Sequence, residues 1–139
     1  MALVVILGAL MASGAHAGTD VPPQRKRALL AWLKAGTYQS AFTPEPEPHT
    51  SMSAHGPYVR TWYSPMLTED LRAGRSTFRK GAAMVKELYL EGPNAPPVGY
   101  SVMRKLRSRS GPTGDGWLFY VCTGCHRSGI DYLRSAFRP

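Results

Sequence analysis

Apolar and polar residues alternate along four segments of the chain, and this period of two predicts four β-strands. The segments are residues 58–63 ("YVRTWY"), about 82–90 ("AAMVKELYL"), 98–106 ("VGYSVMRKL") and 117–121 ("WLFYV"). Turn-forming residues separate the later segments, as in "GPTGDG" at 111–116. Because short links join neighbouring strands in opposite directions, the pattern favours an antiparallel sheet.

Two other segments place apolar residues at helical spacing. The first follows the prolines at 22 and 23, ends at Gly36, and has the apolar stripe Ala28, Leu29, Trp32 and Leu33. The second is short and runs from the capping pair Ser64-Pro65 to Leu71. Residues 38–55 contain "FTPEPEPH", which predicts a long surface loop without regular structure. The fold class expected is therefore α+β, a mainly antiparallel sheet with flanking helices.

The N-terminus has the pattern of an export signal. An apolar run at residues 3–12 precedes Ala15-His16-Ala17, which has the small-x-small form of a cleavage site. We therefore expect a signal peptide at 1–17 and one domain at 18–139, placed in the periplasm or secreted. The run is shorter than the roughly 20 residues of a membrane span. No Lys or Arg precedes it, which leaves a mis-assigned start or an uncleaved anchor open.

Length and charge limit the classes of partner. The chain has 139 residues, a length typical of one domain. Its formal net charge of +8 favours anionic partners or membrane surfaces. Nucleic acid is disfavoured as a partner, since the export signal removes the usual target and no nucleic-acid-binding motif is present.

The two cysteines lie in "CTGCH", residues 122–126, which has the C-x-x-C-H form of covalent haem c attachment. In this motif Cys122 and Cys125 bond the two vinyl groups of one haem, and His126 becomes the axial iron ligand. The alternatives are a plain disulfide and half of a zinc site, but a second ligand pair for zinc is missing.

A lysine interrupts the apolar strand pattern at 82–90. If the strand alternates, Lys86 lies in a row with Met84 and Leu88, where an ammonium group is costly unless it is paired, reaches water or does chemistry. A buried amine also loses its proton more readily and becomes a nucleophile. The residues alone leave two alternatives open, a paired or solvent-reaching lysine and a reactive one.

Four segments together resemble the cytochrome P-460 family, which includes the β-type cytochromes c′. They are "VRTWYSP" (59–65), "AGRSTFRKGAAMVKEL" (73–88), "CTGCH" (122–126) and "DYLRSAFRP" (131–139). The resemblance covers about residues 25–139 and implies a five-stranded antiparallel fold with flanking helices, usually a homodimer. It also implies one haem c held by His126, with an open iron site and a redox partner protein.

The resemblance places Lys86 at the position of a lysine that cytochromes P-460 bond to the haem edge. Those proteins oxidise hydroxylamine, whereas β-type cytochromes c′ lack the bond and bind gases such as nitric oxide. Hydroxylamine-oxidising members use a carboxylate on the next strand as proton acceptor, and here Tyr100 is at or near that position. Because the ordinary pKa of tyrosine is near 10, it is a poor base at neutral pH, although it can donate a hydrogen bond. This departure weakens the enzyme hypothesis.

Three other residues are candidates for the haem pocket. Arg60 is expected either to contact a haem propionate or the distal pocket, or to form a half-buried surface pair. Phe78 is expected to cap the iron or to be core. His55 is a candidate sixth ligand, which would make the protein a simple electron carrier. We therefore expect either hydroxylamine oxidation, with Lys86, Tyr100 and Arg60 as candidate catalytic residues, or gas binding, or electron transfer.

Overall fold

The computed structural model describes residues 20–53, 55–110 and 116–120. Two α-helices, α1 (Lys26–Lys34) and α2 (Pro65–Arg72), are accompanied by a short 3₁₀ helix at Thr37–Ser40. The strands are β1 (Thr43–Pro44), β2 (His49–Ser53), β3 (Gly56–Tyr63), β4 (Ala83–Tyr89), β5 (Gly99–Lys105) and β6 (Trp117–Tyr120).

All described strands belong to one antiparallel sheet. Strands β3, β4, β5 and β6 are neighbours in that order, and β1 and β2 both pair with the remaining edge of β3. Strand β4 is therefore central, and its pairing places Lys86 between Thr61 of β3 and Ser101 of β5.

The two faces of the sheet are covered by different helices, and we name them accordingly. The α1 face carries a cluster that includes α1 residues and strand residues: Leu29, Trp32, Leu33, Tyr38, Phe42, Trp62, Ala83, Val85 and Val102. The α2 face carries a second cluster: Tyr63, Leu67, Phe78, Ala82, Met84, Met103 and Trp117. Strand β4 thus contributes apolar side chains to both clusters, as expected of a central strand between two layers.

Local chemistry explains where α2 begins and how β4 starts. Ser64 is the N-cap of α2, and its buried Oγ accepts hydrogen bonds from the N–H of Leu67 (3.3 Å) and from that of Ala83 (3.0 Å). Pro65 follows at the first helical position, where its missing N–H is not needed. Gly81 has φ of 97°, so the turn into β4 uses a backbone conformation that favours glycine.

The structure confirms the predicted α+β fold and antiparallel sheet, and the described residues form six strands where about five were expected. The predicted irregular loop at 38–55 is wrong, because this segment contains the 3₁₀ helix and strands β1 and β2. The exposed backbone edge of β3 needs hydrogen-bond partners, and these two strands supply them. Pro44 is compatible with a strand here because β1 is short and lies at the sheet edge. Among the described residues, neither helix has the length and apolar character to cross a membrane.

Candidate functional site

Lys86 lies in the middle of β4 on the α2 face. It is half-buried, and the two residues directly across from it, Thr61 and Ser101, are both buried. The row is therefore polar: a hydroxyl side chain flanks the lysine on either side. The apolar cluster of the α2 face begins one pair further along, where Met84 faces Tyr63 and Met103. The lysine thus lies at the border between an apolar surface and a short polar row.

Phe78 belongs to the same face. Its ring is 1% exposed and meets Trp117 edge-on, with centroids 6.1 Å apart. Phe119 packs beside this cluster from β6. The structure therefore places Phe78 and Lys86 on one side of the sheet, with Phe78 in the hydrophobic core; a contact of either residue with haem stays a prediction.

The α2 face also contains buried donors without partners. The Nε1–H of Trp117 and the Oγ1 of Thr68 are two of the five buried side-chain polar atoms that form no hydrogen bond among the described residues. Leaving such groups unpaired is costly, so each is a natural donor to a bound group. An apolar aromatic surface with a buried indole N–H suits haem, whose ring is apolar and whose propionates accept hydrogen bonds. Unpaired indole N–H groups also occur at Trp32 and Trp62 of the α1 face, so these residues are compatible with haem, and its binding on the α2 face stays a prediction.

Arg60 and Tyr100 lie on the opposite face. Each is the cross-strand partner of Glu87, the residue after Lys86, so both point toward α1. The Nε of Arg60 donates to the backbone oxygen of Glu45 (2.9 Å), and its guanidinium lies 5.0 Å from the ring centroid of Trp62. The structure therefore does not bring Arg60 and Tyr100 together with Lys86. Their predicted catalytic roles stay predictions, without a shared pocket to support them.

Glu87 is the centre of what we call the carboxylate cluster, formed with Tyr38, Gln39 and Tyr89. Its side chain is 2% exposed and accepts hydrogen bonds from the hydroxyls of Tyr38 and Tyr89 (2.6 Å) and from the amide of Gln39 (3.2 Å). Burial, followed by the hydrogen bond to Glu87, raises the pKa of Tyr38 and of Tyr89 well above the ordinary value. Burial and then the nearby Glu87 charge raise the pKa of Tyr100. These phenols therefore hold their protons, and Tyr100 is less suited to act as a base than a free tyrosine.

Glu45 is a buried acid whose position the sequence did not reveal. It follows β1, and its backbone N–H donates to the backbone oxygen of Thr61 (2.8 Å). Its carboxylate accepts hydrogen bonds from the N–H of Thr61 (2.7 Å) and the hydroxyl of Tyr63 (2.9 Å), and Nε2 of His49 lies 3.2 Å away. The only sequence signal for the buried position of Glu45 was "TPE", which comes shortly before an aromatic strand. The surrounding prolines favoured a loop instead.

The remaining predicted positions are His55 and the three residues of the haem motif. His55 is buried, 8% exposed, at the turn between β2 and β3. Cys122, Cys125 and His126 lie outside the described residues, as do the predicted signal peptide and the C-terminal segment of the resemblance. Strand β6 ends at Tyr120, two residues before Cys122. The haem motif itself therefore stays a sequence prediction.

The chain was also compared with known proteins. Protein-family models, curated proteins and solved structures gave no match. The resemblance to the cytochrome P-460 family thus stays a prediction based on the sequence motifs. Within the described residues, no group of three or more His, Cys, Asp or Glu side chains is placed to hold a metal ion.

Proposed function

We propose that the protein is an exported mono-haem c protein of the cytochrome P-460 type that binds or oxidises a small nitrogen species. The observation that carries the proposal is the relation between the haem motif and Lys86. "CTGCH" begins two residues after β6, and β6 and the central strand β4 both flank β5 in the same sheet.

Chain length supports this relation. Two residues of chain span at most about 7 Å, so a haem attached at Cys122 is held close to the end of β6. Phe119, near that end, and Lys86 share the α2 face. An amine reaching this face from β4 would lie beside the haem edge, which is the place that the family resemblance assigns to Lys86.

The chain's own residues would supply binding and shielding. Cys122 and Cys125 would hold the haem covalently and His126 would ligate its iron. Phe78 and the methionines of the α2 face would exclude water, and the Trp117 N–H would donate to an acceptor group of the cofactor. When bound, the haem supplies an iron site for a small ligand and a route for electrons.

Mass spectrometry of haem-containing peptides tests the proposal. We expect covalent haem on the peptide containing Cys122 and Cys125, with Cys122→Ala reducing its yield. A haem peptide that also contains Lys86 would show the cross-link, and Lys86→Arg would abolish that species without abolishing attachment. Full haem yield in the Cys122→Ala protein would refute attachment through this motif.

The second candidate function is non-enzymatic gas binding, as in β-type cytochromes c′. It is favoured by Tyr100, which stands where a proton-accepting carboxylate is expected, faces α1 rather than Lys86, and has a raised pKa. An optical spectrum separates the candidates. A high-spin haem that binds nitric oxide but does not turn over hydroxylamine supports gas binding, and a six-coordinate spectrum indifferent to ligands would contradict both.

A further inference from the structure

Ten of the chain's 17 Lys and Arg residues come from three short segments, 25–27, 75–80 and 104–109. These segments are far apart in the sequence, yet the fold brings all three to the end of the sheet where β4 begins and β5 ends. We call this end the basic end. Its Lys and Arg residues are Arg25, Lys26, Arg27, Arg75, Arg79, Lys80, Arg104, Lys105, Arg107 and Arg109.

Backbone hydrogen bonds hold the second and third segments together. The N–H of Gly81 donates to the backbone oxygen of Lys105 (2.8 Å), which joins the segment before β4 to the last residue of β5. The N–H of Leu106 donates to the backbone oxygen of Gly116 (2.8 Å), so the chain that follows β5 stays beside the start of β6. The two segments are therefore neighbours at the basic end.

Helix α1 brings the first segment to the same end. Arg104 donates from Nη1 to the backbone oxygen of Pro22, three residues before Arg25. The helix then runs toward the other end of the sheet, because Tyr38, in the 3₁₀ helix that follows it, donates to Glu87 near the end of β4. Since α1 has nine residues and is about 13 Å long, Lys34 in its last turn lies away from the basic end.

Most cations of the basic end face solvent, and few acids balance them. Seven are exposed: Arg25, Lys26, Arg27, Arg75, Lys80, Arg107 and Arg109. Among the described residues, three acids lie in or next to the segments: Asp20, Glu69 and Asp70. Asp70 is buried and lies 3.1 Å from Nε of Arg75 and 2.6 Å from Nε of Arg79, and Glu69 lies 2.9 Å from Nη2 of Arg79. These acids neutralise the second segment in part, and the end keeps a positive charge.

The opposite end of the sheet has the reverse character. Residues 87–103, from the end of β4 through most of β5, contain no Lys or Arg and include Glu87 and Glu91. Two large apolar side chains, Leu90 and Val98, are each 61% exposed there, whereas the described residues of the three basic segments include no exposed large apolar side chain. The charge is thus polarised along the strands, which orients the protein in the field of an anionic surface.

We propose that the basic end docks on the surface of a bilayer that contains anionic lipid. The absence of exposed large apolar side chains from its described residues argues against a protein partner, because the core of a protein interface is apolar. Contact through Lys and Arg alone is typical of polybasic segments on anionic headgroups. The chain also enters the described fold at this end through Pro22, a short distance after the apolar run at residues 3–12, which has the pattern of an export signal. Docking needs no haem and is independent of the proposed function.

Sedimentation with vesicles tests the docking surface. The variant Arg27→Gln/Lys80→Gln/Arg109→Gln removes one exposed cation from each segment, and the control Lys34→Gln/Asn94→Asp/Val98→Glu lowers the net charge equally at exposed positions elsewhere. The wild type should bind phosphatidylcholine vesicles that contain phosphatidylglycerol, leave them as salt rises, and ignore pure phosphatidylcholine. Each cation near such a surface strengthens binding about fivefold, so the basic-end variant should bind on the order of a hundredfold more weakly. The control should stay close to wild type, and equal urea unfolding midpoints would show that both variants are folded.

Lysine acetylation read by mass spectrometry locates the contact without any substitution. Vesicles with phosphatidylglycerol should slow acetylation of Lys26 and Lys80 and leave Lys34, on the same helix as Lys26, unchanged. Equal weakening of binding in the two triple variants, or equal protection of the three lysines, would show that only net charge matters and would refute the basic end as the docking surface. A wild type that ignores the anionic vesicles but is retained on immobilised polyglutamate would overturn the lipid assignment in favour of an acidic protein.

Discussion

Replacing Glu87 with leucine should destabilise the protein strongly although it removes a buried charge. The carboxylate is 2% exposed and is the acceptor for the hydroxyls of Tyr38 and Tyr89. Leucine has a similar size but accepts no hydrogen bond, so both hydroxyls would be left buried without their acceptor. Each such loss costs about 1–3 kcal/mol, which gives a decrease of about 2–6 kcal/mol in the free energy of unfolding.

Urea unfolding followed by circular dichroism measures this loss, and two further variants test its cause. Glu87→Gln keeps an acceptor oxygen and should lose less than Glu87→Leu. The triple variant Tyr38→Phe/Tyr89→Phe/Glu87→Leu removes donors and acceptor together and should recover most of the lost stability. If Glu87→Leu unfolds at the wild-type urea concentration, or the triple variant is less stable than Glu87→Leu, the unsatisfied-hydroxyl explanation is refuted.

Three further predictions concern pH and the junction before β4. The tyrosines of the carboxylate cluster have raised pKa values in the folded state, so near and above about pH 10 the unfolded chain loses their protons before the folded chain does. The free energy of unfolding should therefore fall as pH rises. Urea unfolding measured from roughly pH 8 to 11 should show this decrease. Ser64→Ala removes the acceptor of the Leu67 and Ala83 N–H groups and should cost about 2–3 kcal/mol by the same assay, with a loss under about 0.5 kcal/mol contradicting the dual cap. Gly81→Ala should lower the free energy of unfolding by about 1–3 kcal/mol because residue 81 has a φ of 97°. Gly99→Ala is the control and should lower it less, because residue 99 has no positive φ. Equal losses in the two variants would rule out backbone strain as the cause.

The alternating pattern was enough to predict the antiparallel sheet and both helices, because these features depend on local spacing of apolar residues. Strand β4, predicted at about 82–90, is Ala83–Tyr89, and the second helix, predicted from Ser64-Pro65 to Leu71, is Pro65–Arg72. The local spacing of apolar residues does not predict which segment pairs with the edge of β3. The strands in 38–55 form through pairing with residues that come later in the chain, which composition does not encode.

The candidate site likewise has features that local spacing predicts and features that it does not. Alternation placed Lys86 and Glu87 on opposite faces, and the structure confirms this. Glu87 is paired with the hydroxyl of Tyr38, from a distant segment, and with that of Tyr89, two residues further along β4. Motif matching suggested Tyr100 for the place of an acid, whereas the structure shows a buried acid, Glu45, bonded to the N–H of Thr61, the direct partner of Lys86. Glu45 reaches this place because β1 pairs with β3, so a search of β5 for an acid does not find it.

The opposite orientation of Lys86 and Glu87 has a consequence for protein engineering. Because adjacent residues of β4 serve different layers, the carboxylate cluster and the residues proposed to meet the cofactor lie on opposite sides of the sheet. Side chains beneath α1 can be redesigned for greater heat tolerance while the α2 layer stays untouched. Insertion or deletion of one residue within β4, by contrast, would exchange the ammonium and carboxylate positions and spoil both layers at once. Libraries made from this scaffold should therefore keep the length of β4 fixed and vary one layer at a time.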